Sequence, residues 1–141
     1  MPYSPLMVKP MKEELTSIGF TELLTVEDVD RADVPGTSGL TLLVINSVDG
    51  CAAGTARPGV RLALEEAPKR PDRLLTVFAG QDMEAAFRAR SLFADIPPSE
   101  PSIAVFKDGE LVYFIPRHRI ESRDARAVAG DLTAVFKEFA E

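Results

Sequence analysis

Leu40-Thr41-Leu42-Leu43-Val44-Ile45-Asn46-Ser47-Val48-Asp49-Gly50-Cys51-Ala52-Ala53-Gly54 runs from a nearly continuous apolar stretch through a short polar break into small residues. Leu40 to Ile45 has the pattern of a strand in a parallel sheet covered by helices on both faces, which predicts a central strand. Asn46 to Gly50 predicts a strand-to-helix turn, and Cys51, the sole cysteine of the chain, follows at once. A thiol placed there meets backbone N–H groups and a helix dipole that stabilise a thiolate. A cysteine acting only as a small hydrophobe would more naturally sit inside an apolar run. The stretch points to thiol chemistry.

Working outward, Arg73 to Phe78 is a second such strand, closed by Ala79-Gly80-Gln81, and Asp82 is predicted to cap a helix from Met83 to about Phe93. Ser102 to Phe106 and Leu111 to Ile115 flank Lys107-Asp108-Gly109-Glu110. Asp-Gly between two apolar runs is a strong hairpin signal. Ala125, Val128, Ala129, Leu132, Val135, Phe136 and Phe139 share one face of a final amphipathic helix. Upstream, Lys9 to Ile18 has the spacing of a short amphipathic helix with Met11, Leu15 and Ile18 on one side, ended by Gly19. Phe20 to Leu24 is read as a short strand, and Thr25 as the N-cap of a second short helix with Glu27 and Asp28 in its first turn. Pro35 to Gly39 is a loop too short to separate two domains. The order is strand, helix, strand, helix, hairpin, helix behind one extra helix. Parallel βαβ joined to antiparallel ββα is an α/β, thioredoxin-like arrangement: a central mixed β-sheet flanked by helices, with the redox site after the first central strand.

A chain of 141 residues, 45% hydrophobic, is expected to form a single domain over 1–141 with a core that needs neither disulfide nor metal. One cysteine makes no internal disulfide, and Met1-Pro2-Tyr3-Ser4 lacks the pattern of a signal peptide, so the expected location is cytoplasmic. The apolar runs are strand-sized, short of the roughly 20 residues that span a bilayer, so no membrane segment is expected. A net charge of −6 repels phosphates, and nucleic acid is not an expected partner.

Asn46 to Pro58 resembles the active-site segment of the bacilliredoxins, thioredoxin-like proteins of bacteria that use bacillithiol. The likeness extends to Val77-Phe78-Ala79-Gly80-Gln81-Asp82, to Pro98-Ser99-Glu100-Pro101-Ser102 and to Phe114-Ile115-Pro116-Arg117-His118, and covers nearly the whole chain. The resemblance implies removal of bacillithiol from protein cysteines by thiol–disulfide exchange at a Cys-Gly-Cys motif. Here the first cysteine is replaced by Asp49, leaving Asp49-Gly50-Cys51. A two-thiol cycle within one chain is impossible, so any activity runs through Cys51 alone, with an external low-molecular-weight thiol completing turnover. The resemblance thus implies Cys51 as the catalytic residue, with Asp49, Gly50, Ala52, Arg57 and Pro101 supporting the thiol site. It implies no bound cofactor and no metal, with bacillithiol as co-substrate, bacillithiolated client proteins as partners, and a monomer or weak homodimer.

Several positions carry two readings. A helix N-terminus favours the thiolate by roughly 0.3 to 2 kcal/mol. A carboxylate at Asp49 about 6 Å away opposes it by roughly 0.7 kcal/mol in water and up to about 3 at an effective dielectric near 20. At most a modest activation is expected unless Arg57 or Arg61 folds over the site; Asp49 can equally be the helix N-cap. Pro58, which costs about 3 kcal/mol inside a helix, would start the helix at its first position and leave Cys51 in a loop. The resemblance instead starts the helix near Cys51 and makes Pro58 a kink. Pro101 is an ordinary trans loop proline by frequency, whereas the fold resemblance makes it a cis-proline facing the thiol. His118, the only histidine, reads as a solvated loop residue, since one histidine and one cysteine make no metal site. Arg117, Arg119, Arg123 and Arg126 form a basic cluster that can meet bacillithiol or client carboxylates, or simply line a helix entrance. Met7 and Met83 read as core or cap residues.

The leading expectation is a monothiol bacilliredoxin, an oxidoreductase working through Cys51. The alternatives are a non-catalytic thioredoxin-like binding or regulatory module, a redox sensor that dimerises through Cys51, and a dimer bridging an iron–sulfur cluster.

Overall fold

The computed structural model describes residues 2–48 and 50–140. The stretch Leu40–Asn46 is a strand, β2, in which every residue is buried. It lies at the centre of a five-stranded sheet with β1 (Thr21–Glu22), β3 (Arg73–Phe78), β4 (Ser102–Lys107) and β5 (Glu110–Ile115), in the order β1-β3-β2-β4-β5. The pairings among β1, β3 and β2 are parallel; β4 runs antiparallel to β2, and β5 to β4. This is the expected α/β arrangement of a parallel βαβ unit fused to an antiparallel hairpin.

Alternation along β2 explains its continuous apolar character. Leu40, Leu42 and Val44 pack with Val60, Ala63, Val128, Leu132 and Phe136, which belong to α3 (Gly50–Glu66) and α6 (Ala125–Phe139). Leu43 and Ile45 face the opposite layer, with Val29 of α2 (Val26–Ala32) and Ala85, Ala86 and Ala89 of α4 (Met83–Arg90). A strand covered on both faces has no solvated side to fill with polar residues.

Several boundaries differ from expectation. The first helix, α1, spans Pro5–Thr16 rather than Lys9 to Ile18, because Pro5 at its first turn is a favoured starter. Val8 and Leu15 are its buried residues. Of Phe20 to Leu24 the strand proper is Thr21–Glu22, continued by the Leu23 N–H, which donates to the Thr76 carbonyl at 2.8 Å, while the Phe20 and Leu23 side chains enter the core clusters on its two faces. The helix after Asp82 ends at Arg90 and tightens into a 3₁₀ turn over Ser91–Phe93 that places Phe93 in the core. Asp82 stands at its N-cap but its side chain makes no capping bond; it accepts from Lys12 Nζ at 2.8 Å instead. Met7 and Met83 are exposed, because the alanines of α4 and Val8 of α1 occupy the inward faces. A short helix, α5 (His118–Glu121), adds an element that the sequence pattern does not predict. No helix is long and apolar enough to cross a membrane among the described residues.

Pro58 lies inside α3, which is helical from Gly50 onward. Ala52, Ala53, Ala56, Val60, Ala63 and Leu64 of that helix are buried, and this packing outweighs the roughly 3 kcal/mol that an interior proline costs. Cys51 therefore stands at a helix start and not in a loop.

Candidate functional site

Three segments meet at the carboxyl ends of β2 and β3. The first is the β2–α3 turn. The second follows β3, whose Phe78 is in register with Asn46, and the Ala79 N–H donates to the Asn46 carbonyl at 2.9 Å. The third is the Pro98–Pro101 segment, which leads into β4 where Ser102 is in register with Ile45. Cys51 is the second residue of α3 and is exposed, with Ala52 and Ala53 buried behind it. Gly50 sits at φ +23°, a conformation that favours glycine, in open space where a Cβ would meet nothing within 4 Å. An exposed thiol at a helix start can act as a nucleophile toward a disulfide sulfur.

The Glu100–Pro101 peptide bond is cis, as the resemblance implied, and Pro101 is buried. Its segment is held from two sides. The Glu100 carboxylate lies 2.6 Å from Arg90 Nη2, and Ser99 Oγ accepts from the Arg117 N–H at 2.7 Å.

Arg57 is buried and its guanidinium is turned to the base of the turn. Its Nη1 donates to Asn46 Oδ1 at 2.9 Å and to the Ser47 carbonyl at 2.8 Å, and its Nε donates to Glu14 Oε2 at 2.9 Å. Asn46 Oδ1 also accepts from the Ser47 N–H at 2.9 Å, and Asn46 Nδ2 donates to the Met11 carbonyl of α1 at 3.1 Å. Sequence reasoning placed Asn46 and Ser47 in the site segment without giving them a role, and missed Glu14 and Met11 as parts of the site. The signal was present in the spacing: Ala53, Arg57, Val60 and Leu64 form one buried stripe of α3, and an arginine on such a stripe demands an acidic partner. Arg61 is exposed on the same helix.

Asp49, expected either to cap α3 or to oppose the thiolate, lies outside the described residues. The basic cluster is engaged with carboxylates. Arg126 is paired with Glu66 at 2.7 Å, Arg117 with Glu121 at 3.1 Å, and Arg119 with Asp131 at 3.3 Å. Arg123 also pairs with Asp131, whose carboxyl is held below the usual aspartate range chiefly by that hydrogen bond. These pairs favour the helix-entrance reading of the cluster. His118 is exposed but belongs to α5 rather than to a loop.

Residues 3–140 match the family model described as disulphide isomerase. Relatives of similar length carry the name bacilliredoxin. That of Cytophaga hutchinsonii is 55% identical over 137 residues, covering 96% of this chain and 98% of its own. That of Salinibacter ruber is 50% identical over 139 residues, covering 99% and 82%. Among solved structures, the thioredoxin of Malassezia sympodialis aligns with a TM-score of 0.54 at 12% identity, over 87% of this chain and 92% of that one. The thioredoxin of Fasciola hepatica gives 0.54 at 16% identity, over 85% and 99%. At that identity these two speak for the fold alone.

Proposed function

The chain belongs to the bacilliredoxin family, of thioredoxin-like fold and thiol–disulfide chemistry, and from that premise we propose that it is a monothiol enzyme releasing bacillithiol from protein mixed disulfides through Cys51. The observation that carries the reading is the exposed thiol at the start of α3, at the end of the sheet where the cis Glu100–Pro101 bond leads into β4, in a chain with no other cysteine. The Cys51 thiolate attacks the bacillithiol sulfur of the mixed disulfide. A new Cys51–bacillithiol disulfide forms, the client–bacillithiol S–S bond breaks, and the client thiolate leaves and takes a proton from water. A second bacillithiol, as thiolate, then attacks the bacillithiol sulfur bound to Cys51. That step frees Cys51 and yields bacillithiol disulfide, so one client thiol is regenerated for each bacillithiol oxidised. Cytoplasmic location, where thiols stay reduced, suits this cycle.

Incubation with oxidised bacillithiol followed by intact-mass measurement tests the proposal. The expected result is one bacillithiol adduct, lost in Cys51→Ser. No adduct, under conditions that modify a two-cysteine relative, overturns it and returns the chain to a non-catalytic binding role.

A further inference from the structure

We propose that Glu14 and Arg57 are positioning residues for Cys51, so that the N-terminal helix α1 is a working part of the thiol site. The inference rests on Cys51 being the reacting group. The Ser47 peptide is held at both ends, its N–H by Asn46 Oδ1 and its carbonyl by Arg57 Nη1. Only three residues separate it from Cys51 in the sequence, so fixing Ser47 limits where the start of α3 can lie. The Arg57 side chain is 9% exposed and Glu14 43% exposed. A cation buried that far requires a paired carboxylate, and Glu14 of α1 supplies it. The same helix accepts from Asn46 through the Met11 carbonyl. At the neighbouring turn its Lys12 ammonium meets Asp82, and the segment just before the helix adds the Tyr3 N–H, which donates to Gln81 Oε1 at 2.7 Å. Docking of α1 thereby fixes two of the three segments at the thiol end. Arg57 acts through Ser47, by holding the turn that leads into α3 and with it the position from which the Cys51 sulfur attacks.

The test uses the full chain with Arg57→Lys, Arg57→Met and Glu14→Gln, and Arg61→Met as a control on the exposed side of the same helix. The readouts are the rate constant of Cys51 with an aromatic disulfide reagent and amide hydrogen exchange over residues 47–52. Arg57→Met is expected to slow the reaction by at least about threefold, a small part of what misplacing a reacting group can cost. Arg57→Lys should fall between it and wild type, since an ammonium keeps the charge but not the fork. Glu14→Gln, which keeps an acceptor oxygen but loses the charge, should slow it in the same direction, and exchange should rise in step while Arg61→Met matches wild type. Should Arg57→Met fail to fold, Arg57→Lys and Glu14→Gln decide. Rates within about twofold of wild type in folded variants that merely melt earlier would make Arg57 an ordinary core residue and overturn the inference. Because the reagent needs only a nucleophilic thiol, a wild type that reacts with it but forms no bacillithiol adduct would sink the proposed function and leave this inference standing.

Discussion

Gly59 of α3 and Val128 of α6 meet so closely that a Cβ on Gly59 would lie 2.9 Å from both Val128 Cβ and Cγ1, and 3.2 Å from the Ala125 carbonyl oxygen. Glycine inside a helix costs about 1 kcal/mol relative to alanine, and this position accepts that cost so that the two helices can cross. The obstructing atoms sit at a branched Cβ and on the backbone, so neither can swing aside. Gly59→Ala is therefore expected to lower stability by about 1 to 2 kcal/mol, overpacking outweighing the propensity gain. Gly130 of α6, where an added Cβ would meet nothing within 4 Å, is expected to respond oppositely, gaining about 0.5 to 1 kcal/mol on substitution by alanine. Urea unfolding of the two variants side by side checks the opposite signs.

The hairpin between β4 and β5 turns on Asp108 and Gly109, at φ +51° and +83°. A Cβ on Gly109 would fall 2.2 Å from the Pro35 carbonyl oxygen, and the turn is tied to Gly39 through Asp108 Oδ1 at 2.7 Å. Gly109→Ala combines a left-handed backbone that costs roughly 1 to 2 kcal/mol for an L-residue with a clash against backbone. A loss of at least about 2 kcal/mol in urea unfolding is expected.

Much of this was legible in the sequence because it is local. Leu40 to Ile45 is apolar on both faces, Asp108-Gly109 takes the backbone signs of a tight hairpin, and Thr25 caps α2 by accepting from the Asp28 N–H. The misses share a different cause, competition from distant residues. Asp82 had the residue type and place of a cap, but Lys12, brought in by α1, takes its carboxylate. Arg57 read as a cation free to reach the thiol, yet Glu14, Asn46 and the Ser47 carbonyl claim it, partners that become neighbours only when α1 docks. The basic run from Arg117 to Arg126 carried two readings, an anion site or a charged helix entrance; Glu121, four residues from Arg117, is local, but Glu66 and Asp131, which decide for the entrance, lie outside the run and meet it through the fold.

Asp131 gives the fold a pH-dependent component. Its carboxyl is held below the usual range first by the Arg123 hydrogen bond, with further help from the charges of Arg123 and Arg119. A carboxyl lowered in the folded state stabilises that state above the ordinary aspartate value of about 3.9, and this is lost as pH falls through the folded value. Solvent screening limits the contribution to roughly 1 kcal/mol or less. Asp131→Asn should therefore be less stable than wild type at about pH 7, with the difference vanishing near about pH 2. Urea midpoints at the two pH values measure it; a difference that stays constant would mean that the charge is not the cause.

Asp49→Cys places a second thiol two residues before Cys51. If that thiol is all that separates this chain from its two-cysteine relatives, it should attack Cys51 once Cys51 carries bacillithiol, displacing bacillithiol as thiolate and forming an intramolecular disulfide. Resolution then no longer waits for a second bacillithiol to diffuse in. Since intramolecular attack carries an effective concentration in the mM range or above, against which dilute free thiol competes poorly, the bacillithiol adduct should become transient. Intact mass should show the loss of two hydrogens instead, reversed by a reductant, and release of bacillithiol from Cys51 in the absence of free bacillithiol should be at least about tenfold faster than in wild type. A variant that keeps its adduct and its wild-type rate would show that the site differs from its relatives by more than the residue at position 49, and the support given by Glu14 and Arg57 would be the next place to look.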